Sequence, residues 1–221
     1  FNFARNIADG LVPYRDFNMV PTPLLSIICG LGLFIFGKQL VIMRYFAVVL
    51  MCIIFFLVYK ILDKIVPKNV TLLLTAFFLS VYKSVMCIDY NYAVLFVALL
   101  LLYIELSHLN KDLFKYDFKY NFFVGLLAGT AILFKQSTGL AICIACIGYK
   151  ILEIRKKEEI KLFIKIMFTR LLGAIIPLFL FLIYLIANGS LQYFISYTIL
   201  GVRTFSNAIP YSELLKIDTI S

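Results

Sequence analysis

Four stretches of this chain, residues 41–59, 70–87, 92–106 and 171–187, are built almost wholly from aliphatic and aromatic residues. A helix of about 20 residues crosses the roughly 30 Å of bilayer hydrocarbon, and these runs meet or approach that length, the third being somewhat short. They predict membrane-spanning helices. The composition agrees, since 63% of the 221 residues are hydrophobic and 15% charged, against about half apolar in a soluble domain. The expected fold is therefore all-α, a polytopic transmembrane helical bundle. A formal charge of +9 suggests nucleic acid at first sight. The basic residues, however, fall in short clusters between apolar runs, the pattern of cytoplasmic anchoring, and no nucleic-acid partner is expected.

Three basic clusters set the topology: Lys60, Lys64 and Lys68; Lys111, Lys115 and Lys119; and Lys150, Arg155, Lys156, Lys157, Lys161, Lys165 and Arg170. If all three face the cytoplasm, the crossings between neighbouring clusters must be even in number. Runs 70–87 and 92–106 then form an out-and-back pair with Asp89, Tyr90 and Asn91 in an external turn. Residues 122–149 are expected as two short tilted helices that meet at Lys135 and Gln136 near the outer surface. A single long crossing is the competing reading. Residues 1–40 become a first external loop in which 22–36, short and glycine-rich, form a juxtamembrane or re-entrant helix whose ends border protein and water. Residues 41–187 form the core, with about six crossings, and 188–221 an external interfacial segment.

Neither an initiator Met nor a basic-then-apolar leader opens the chain, so a fragment cut at both ends is expected. The cysteines, Cys29, Cys52, Cys87, Cys143 and Cys146, all lie in apolar runs, which argues against a disulfide framework. Cys143 and Cys146 form a C-x-x-C without a second pair, so they read as helix-packing residues and no metal site is assigned. His108, the only histidine, reads as solvated at a basic membrane edge.

This topology places Arg15, Asp16, Lys38, Arg44, Asp89, Asn91, Lys135, Gln136 and Arg203 on one face. Asp16 stands in a polar segment punctuated by Pro13, Pro21 and Pro23, which interrupt any helix through it. Carboxylates beside apolar surface have raised proton affinity and can take a proton from an attacking hydroxyl, so Asp16 and Asp89 are the candidate catalytic groups. The plainer reading is that Asp16 pairs with Arg15 and that Asp89 ends a helix. Lys135 lies inside an apolar stretch, where a cation must find water, a carboxylate or a phosphate. Arg44 and Arg203 could share a phosphate as bidentate donors, or reach to lipid headgroups. Tyr14, Arg15, Tyr90, Asn91 and Gln136 complete the candidate substrate-binding set. A divalent cation is left open as a cofactor.

The motifs come in a telling order. Residues 10–16 read G-x-x-P-Y-R-D and 21–25 read P-x-P-L-L; a step from Gly37 to Arg44 follows, then D-Y-N at 89–91, then Gly129 leading to Lys135, Gln136 and Gly139. This order resembles the membrane glycosyltransferases of the GT-C superfamily, and most of all the dolichyl-phosphate-mannose protein mannosyltransferase and aminoarabinose transferase group (family 39-like). The resemblance implies a polyprenyl-phosphate-linked sugar donor, a lipid, glycan or protein acceptor hydroxyl, and inversion at the sugar carbon, in a multi-pass plasma-membrane protein whose active site faces the extracytoplasmic side. By position it makes Asp16 and Asp89 the acidic residues of the first and second external loops, and Lys135 the phosphate contact. The group's pattern also has an acidic residue closing a helix upstream of Phe1. Where relatives carry an acidic-basic pair before the Pro-x-Pro, this chain has Asn18, Met19 and Val20. The alternative function is a transporter or flippase of lipid-linked saccharides.

Overall fold

The computed structural model describes residues 1–81, 88–108, 116–149 and 157–200, and these are helical apart from connecting loops, with no strand among them. The helices are α1 (Asn2–Ala8), α2 (Leu24–Phe36), α3 (Leu40–Ile65), α4 (Lys68–Val81), α5 (Tyr90–His108), α6 (Phe118–Phe134), α7 (Gln136–Gly148), α8 (Lys157–Ala187) and α9 (Leu191–Phe194). A π-helical turn, Ile195–Leu200, follows α9. Arg203 and residues 201–221 lie outside the described residues, as does the segment joining α4 to Ile88.

Among the described residues, three helices have the length and apolarity to cross a membrane: α3, α5 and the Ile160–Ala187 part of α8. Along α3, Met43, Ala47, Ile54, Leu57 and Ile61 are buried while Tyr45, Val48, Val49 and Phe56 are exposed. Both faces are apolar. Such a helix packs its neighbours along one stripe and meets lipid along the other.

The run 122–149 is two helices. At Lys135 the backbone turns extended (φ −154°, ψ 110°), ending α6 and starting α7. The two fold back on each other so closely that a Cβ at Gly139 would lie 2.4 Å from the Ala131 backbone. A single continuous helix over 122–149 is thereby excluded. Helix α6 also packs on α8 at close range, where a Cβ at Gly125 would fall 2.0 Å from the Arg170 carbonyl oxygen. Gly125 and Gly129 form a G-x-x-x-G, a spacing that lets helix backbones approach. Val124, Ala128 and Ala131 of α6 share one core with Val94 and Val97 of α5, Cys143 of α7 and Ala174 of α8.

Helix α8 begins well before the expected start at 171 and carries Pro177 in its interior. At the other end of the chain, α1 packs against α2 and α3 through Ala4, Ala8, Cys29, Leu33 and Met43. Asp9 accepts from Lys38, which ties the end of α1 to the turn between α2 and α3.

Candidate active site

Breaking the helix at Lys135 leaves the tip of the α6–α7 hairpin with polar backbone to satisfy, and the first loop satisfies part of it. Thr22 Oγ1 donates to the Ile132 carbonyl (3.1 Å), one of the terminal carbonyls of α6. Gln136 Oε1 accepts from the Thr22 amide (3.3 Å), while its Nε2 donates to the Val20 carbonyl at 3.4 Å. Residues 20–22 are thereby strapped across the hairpin tip.

Lys135 points at the turn before α5. Its Nζ donates to Asn91 Oδ1 (2.6 Å), and Asn91 Nδ2 donates to Asp89 Oδ2 (2.6 Å). The ammonium also stands 5.5 Å from the centre of the Tyr90 ring, in cation–π range. Asp89, Tyr90, Asn91, Lys135 and Gln136 are thus gathered at one end of the bundle. Tyr90, Lys135 and Gln136 line a cavity of about 850 Å³, with Thr22 on their side and Leu178, Phe181 and Leu185 of α8 on the other; Asp89 and Asn91 are not part of its lining and reach it only through Lys135. One wall is cationic and polar, the other aliphatic and aromatic.

The Tyr14, Arg15 and Asp16 segment lies upstream and does not line this cavity. Tyr14 takes a left-handed backbone (φ 68°), rare for a side chain of its size. It is 1% exposed. Its hydroxyl donates to the Pro21 carbonyl (2.8 Å), and its ring meets the Phe194 ring edge-on at 5.2 Å. Burial pushes its phenol well above the ordinary range. Tyr14 therefore fixes the shape of the loop that reaches the cavity at Pro21.

Asp16 is held by a fork from Arg15 (Nε to Oδ1, 2.8 Å; Nη2 to Oδ2, 3.0 Å) and by the Val12 amide (2.8 Å), while Arg15 Nη1 donates to the Asn188 carbonyl (3.3 Å). The sequence predicts a raised proton affinity for Asp16, and the structure reverses it. The Arg15 guanidinium, aided by the Val12 amide, holds the carboxyl down to about 2, and Asp16 in turn raises the pKa of Arg15. An unfolded aspartate titrates near 3.9, so the contribution of Asp16 to the loop is complete above about pH 4 and lost as pH falls through about 2. The carboxyl ¹³C shift of selectively labelled Asp16 should stay flat above about pH 4 and move only below it. A titration centred at about 4 would show the pair absent in solution, and one at about 5 or 6 would restore the raised proton affinity. Arg44 is exposed on α3 and does not line the cavity.

A second polar constellation sits at the far end of the bundle, and the sequence pattern does not disclose it. Arg170, which by sequence belongs with the cytoplasmic basic residues, is 1% exposed. Its Nη1 lies 2.7 Å from Glu105 Oε1 and donates to the Cys146 carbonyl (2.6 Å), and its Nε donates to Asn121 Oδ1 (2.9 Å). The hydroxyls of Tyr120 and Tyr149 both donate to Glu105 Oε2. Helices α5, α6, α7 and α8 are joined there. The one available signal is Glu105, a carboxylate inside an otherwise apolar span that requires a partner. His108, expected to be solvated, stacks on Tyr120 with ring centres 3.6 Å apart.

Helices long and apolar enough to cross a membrane mark an integral membrane protein, and at one end of its bundle lies a cavity that is cationic on one wall and apolar on the other. Residues 20–186 match the family described as dolichyl-phosphate-mannose-protein mannosyltransferase, and the chain belongs to that family. It is accordingly a membrane glycosyltransferase of the GT-C type. Neither the curated proteins nor the solved structures contain a significant match. Asp89, Asn91, Lys135 and Gln136 fall within the matched residues, whereas Tyr14, Arg15 and Asp16 lie just before them.

Proposed function

We propose that this protein moves a sugar from a polyprenyl-phosphate donor to an acceptor hydroxyl in the cavity beside Lys135, on the extracytoplasmic side of a multi-pass fold. The observation that carries the reading is the pairing of one ammonium group with an aliphatic and aromatic opposite wall. A lipid-linked sugar phosphate needs both. Lys135 meets the phosphate oxygens, which compete for it with neutral Asn91 through a charge-assisted bond. Asp89 accepts the proton of the acceptor hydroxyl, whose oxygen bonds to the anomeric carbon as the carbon–oxygen bond to phosphate breaks. The lipid phosphate leaves with the bonding pair, and attack from the opposite side inverts the sugar carbon.

The basic residues support the orientation. Lys64 packs over the Tyr103 ring (5.2 Å) and Lys165 over Tyr116 (4.0 Å), both at the end of the bundle remote from Lys135. Cations collect on the cytoplasmic side. Read by that rule, these cations support an outward-facing cavity.

The test is transfer by the intact protein in vesicles, assayed with polyprenyl-phosphate sugars and nucleotide sugars. Lys135→Ala should raise KM for the lipid-linked donor about ten- to a hundredfold, the worth of a charged hydrogen bond of roughly 1.5–3 kcal/mol. Lys135→Arg should recover part of it. Use of nucleotide sugars only would sink the donor assignment. Translocation of the lipid-linked sugar without transfer to any acceptor would instead establish the transporter reading.

A further inference from the structure

The wall that α8 and the residues after it present to the cavity of about 850 Å³ is apolar through Phe181, Leu185, Leu191 and Phe194, and then carries one hydroxyl, that of Thr198. Thr198 is 7% exposed, and its Oγ1 is buried with no hydrogen-bond partner among the described residues. Close by stands Tyr14, whose phenol is raised by burial and lowered in smaller measure by the Thr198 hydroxyl. The two do not meet in a hydrogen bond, and the Tyr14 proton goes to the Pro21 carbonyl (2.8 Å).

A buried hydroxyl without a partner is costly, and most buried side-chain polar atoms have one. The other polar residues of the lining are provided for. Thr22 bonds the Ile132 carbonyl, Gln136 bonds the Thr22 amide and the Val20 carbonyl, and Lys135 holds Asn91, while Tyr90 and Ser137 are exposed. Thr198 alone is both buried and uncommitted among these. Its backbone belongs to the π-helical turn Ile195–Leu200, and the residues before it, Phe194 and Tyr197, pack against the cluster of Tyr14, Met19 and Leu185. Such turns are rare and recur at functional sites. The first loop thus fixes a hydroxyl at the cavity wall that the protein itself does not use.

We infer that Thr198 pairs with a hydroxyl of the sugar, so that a sugar lacking that hydroxyl is bound less well. The inference rests on the reading of the donor as a polyprenyl-phosphate sugar, and adds a specificity-determining residue on the wall opposite Lys135. The chemistry of the donor selects the part that Thr198 meets. Its phosphate oxygens are anionic and go to the ammonium group. Its isoprenoid chain has no hydrogen-bonding group. The sugar ring carries hydroxyls that donate and accept, as the Thr198 hydroxyl does. A buried group that hydrogen-bonds one ligand is left unpaired by the analogue without the matching hydroxyl, and discrimination follows.

The experiment measures binding of undecaprenyl monophosphate, and of undecaprenyl-phosphate mannose, glucose and galactose, to the intact purified protein by thermal stabilisation. Thr198→Val keeps the branched shape and removes the hydroxyl. It should weaken at least one of the sugar phosphates about two- to tenfold, the worth of a neutral hydrogen bond, and leave the bare phosphate unmoved. Thr198→Ser should retain the affinity. Without ligand, Thr198→Val should melt no lower than the unsubstituted protein, because no bond within the protein is lost. Lys135→Ala, by contrast, should weaken the bare and the sugar-bearing phosphates alike. Sugar phosphates all unmoved by Thr198→Val would overturn the assignment, the hydroxyl then serving water, and leave the donor reading intact. So would a bare phosphate weakened as much as the sugar phosphates, a Thr198→Ser variant as weak as Thr198→Val, or a lower melting point in the ligand-free Thr198→Val protein. Failure of the unsubstituted protein to bind any of these phosphates would remove both readings together.

Discussion

Asp89→Asn is expected to lower kcat for sugar transfer about a thousandfold, within the range for loss of a positioned general base. The fold should survive, because the substituted amide oxygen can still accept from Asn91 Nδ2, as Asp89 Oδ2 does now at 2.6 Å. Only proton acceptance is lost. The contrast with Asp16→Asn gives the test its edge. Asp16 is engaged by Arg15 and the Val12 amide and held down to about 2, so it is a weak base for an alcohol. Its removal should loosen the loop that carries Pro21 and Thr22 to the cavity, and act more on KM than on kcat. A thousandfold loss in Asp16→Asn beside a mild effect in Asp89→Asn would exchange the two roles and sink the assignment of Asp89 as the base.

Part of this arrangement is legible in the chain itself. If the basic clusters on either side of 119–150 both face the cytoplasm, the run between them must turn back, and the helix does break at Lys135, where the first loop and the Asp89 turn converge. The prolines of the first loop are legible for a similar reason, since their effect on the backbone is local. Pairings between helices are different. Arg170 looks like one more cytoplasmic cation because Lys161 and Lys165 precede it on the same helix, yet it lies deep in α8 and its partner Glu105 belongs to another helix. Nothing local distinguishes it. The glycines of α2 suggest weakness in a short helix, and they serve contact instead. A Cβ at Gly30 would meet the Ile7 side chain at 2.8 Å, and one at Gly32 the Phe46 ring at 2.2 Å. The state of Asp16 is legible only in part: Arg15 is its neighbour in sequence, but the Val12 amide bond depends on the turn that Tyr14 imposes.

Arg170→Ala or Glu105→Ala should each destabilise the folded protein by about 3–5 kcal/mol, the cost of leaving one member of a buried ion pair without its partner. Loss of Glu105 strands the guanidinium and both tyrosine hydroxyls; loss of Arg170 strands the carboxylate, Asn121 Oδ1 and the Cys146 carbonyl. The penalties arise from the groups left behind, so they must not add. A double variant, Glu105→Leu with Arg170→Met, removes both charges and keeps apolar bulk, and should be more stable than either single alanine variant. Some cost will remain, since Tyr120, Tyr149 and Asn121 lose their partners in the double variant. Unfolding of the purified protein in mixed detergent, followed for all three variants, measures the coupling. Additive losses would mean that the two side chains act independently and that the four helices are not joined through them. A coupled result would show that the end of the bundle remote from Lys135 anchors the α6–α7 hairpin, whose tip carries that lysine to the cavity.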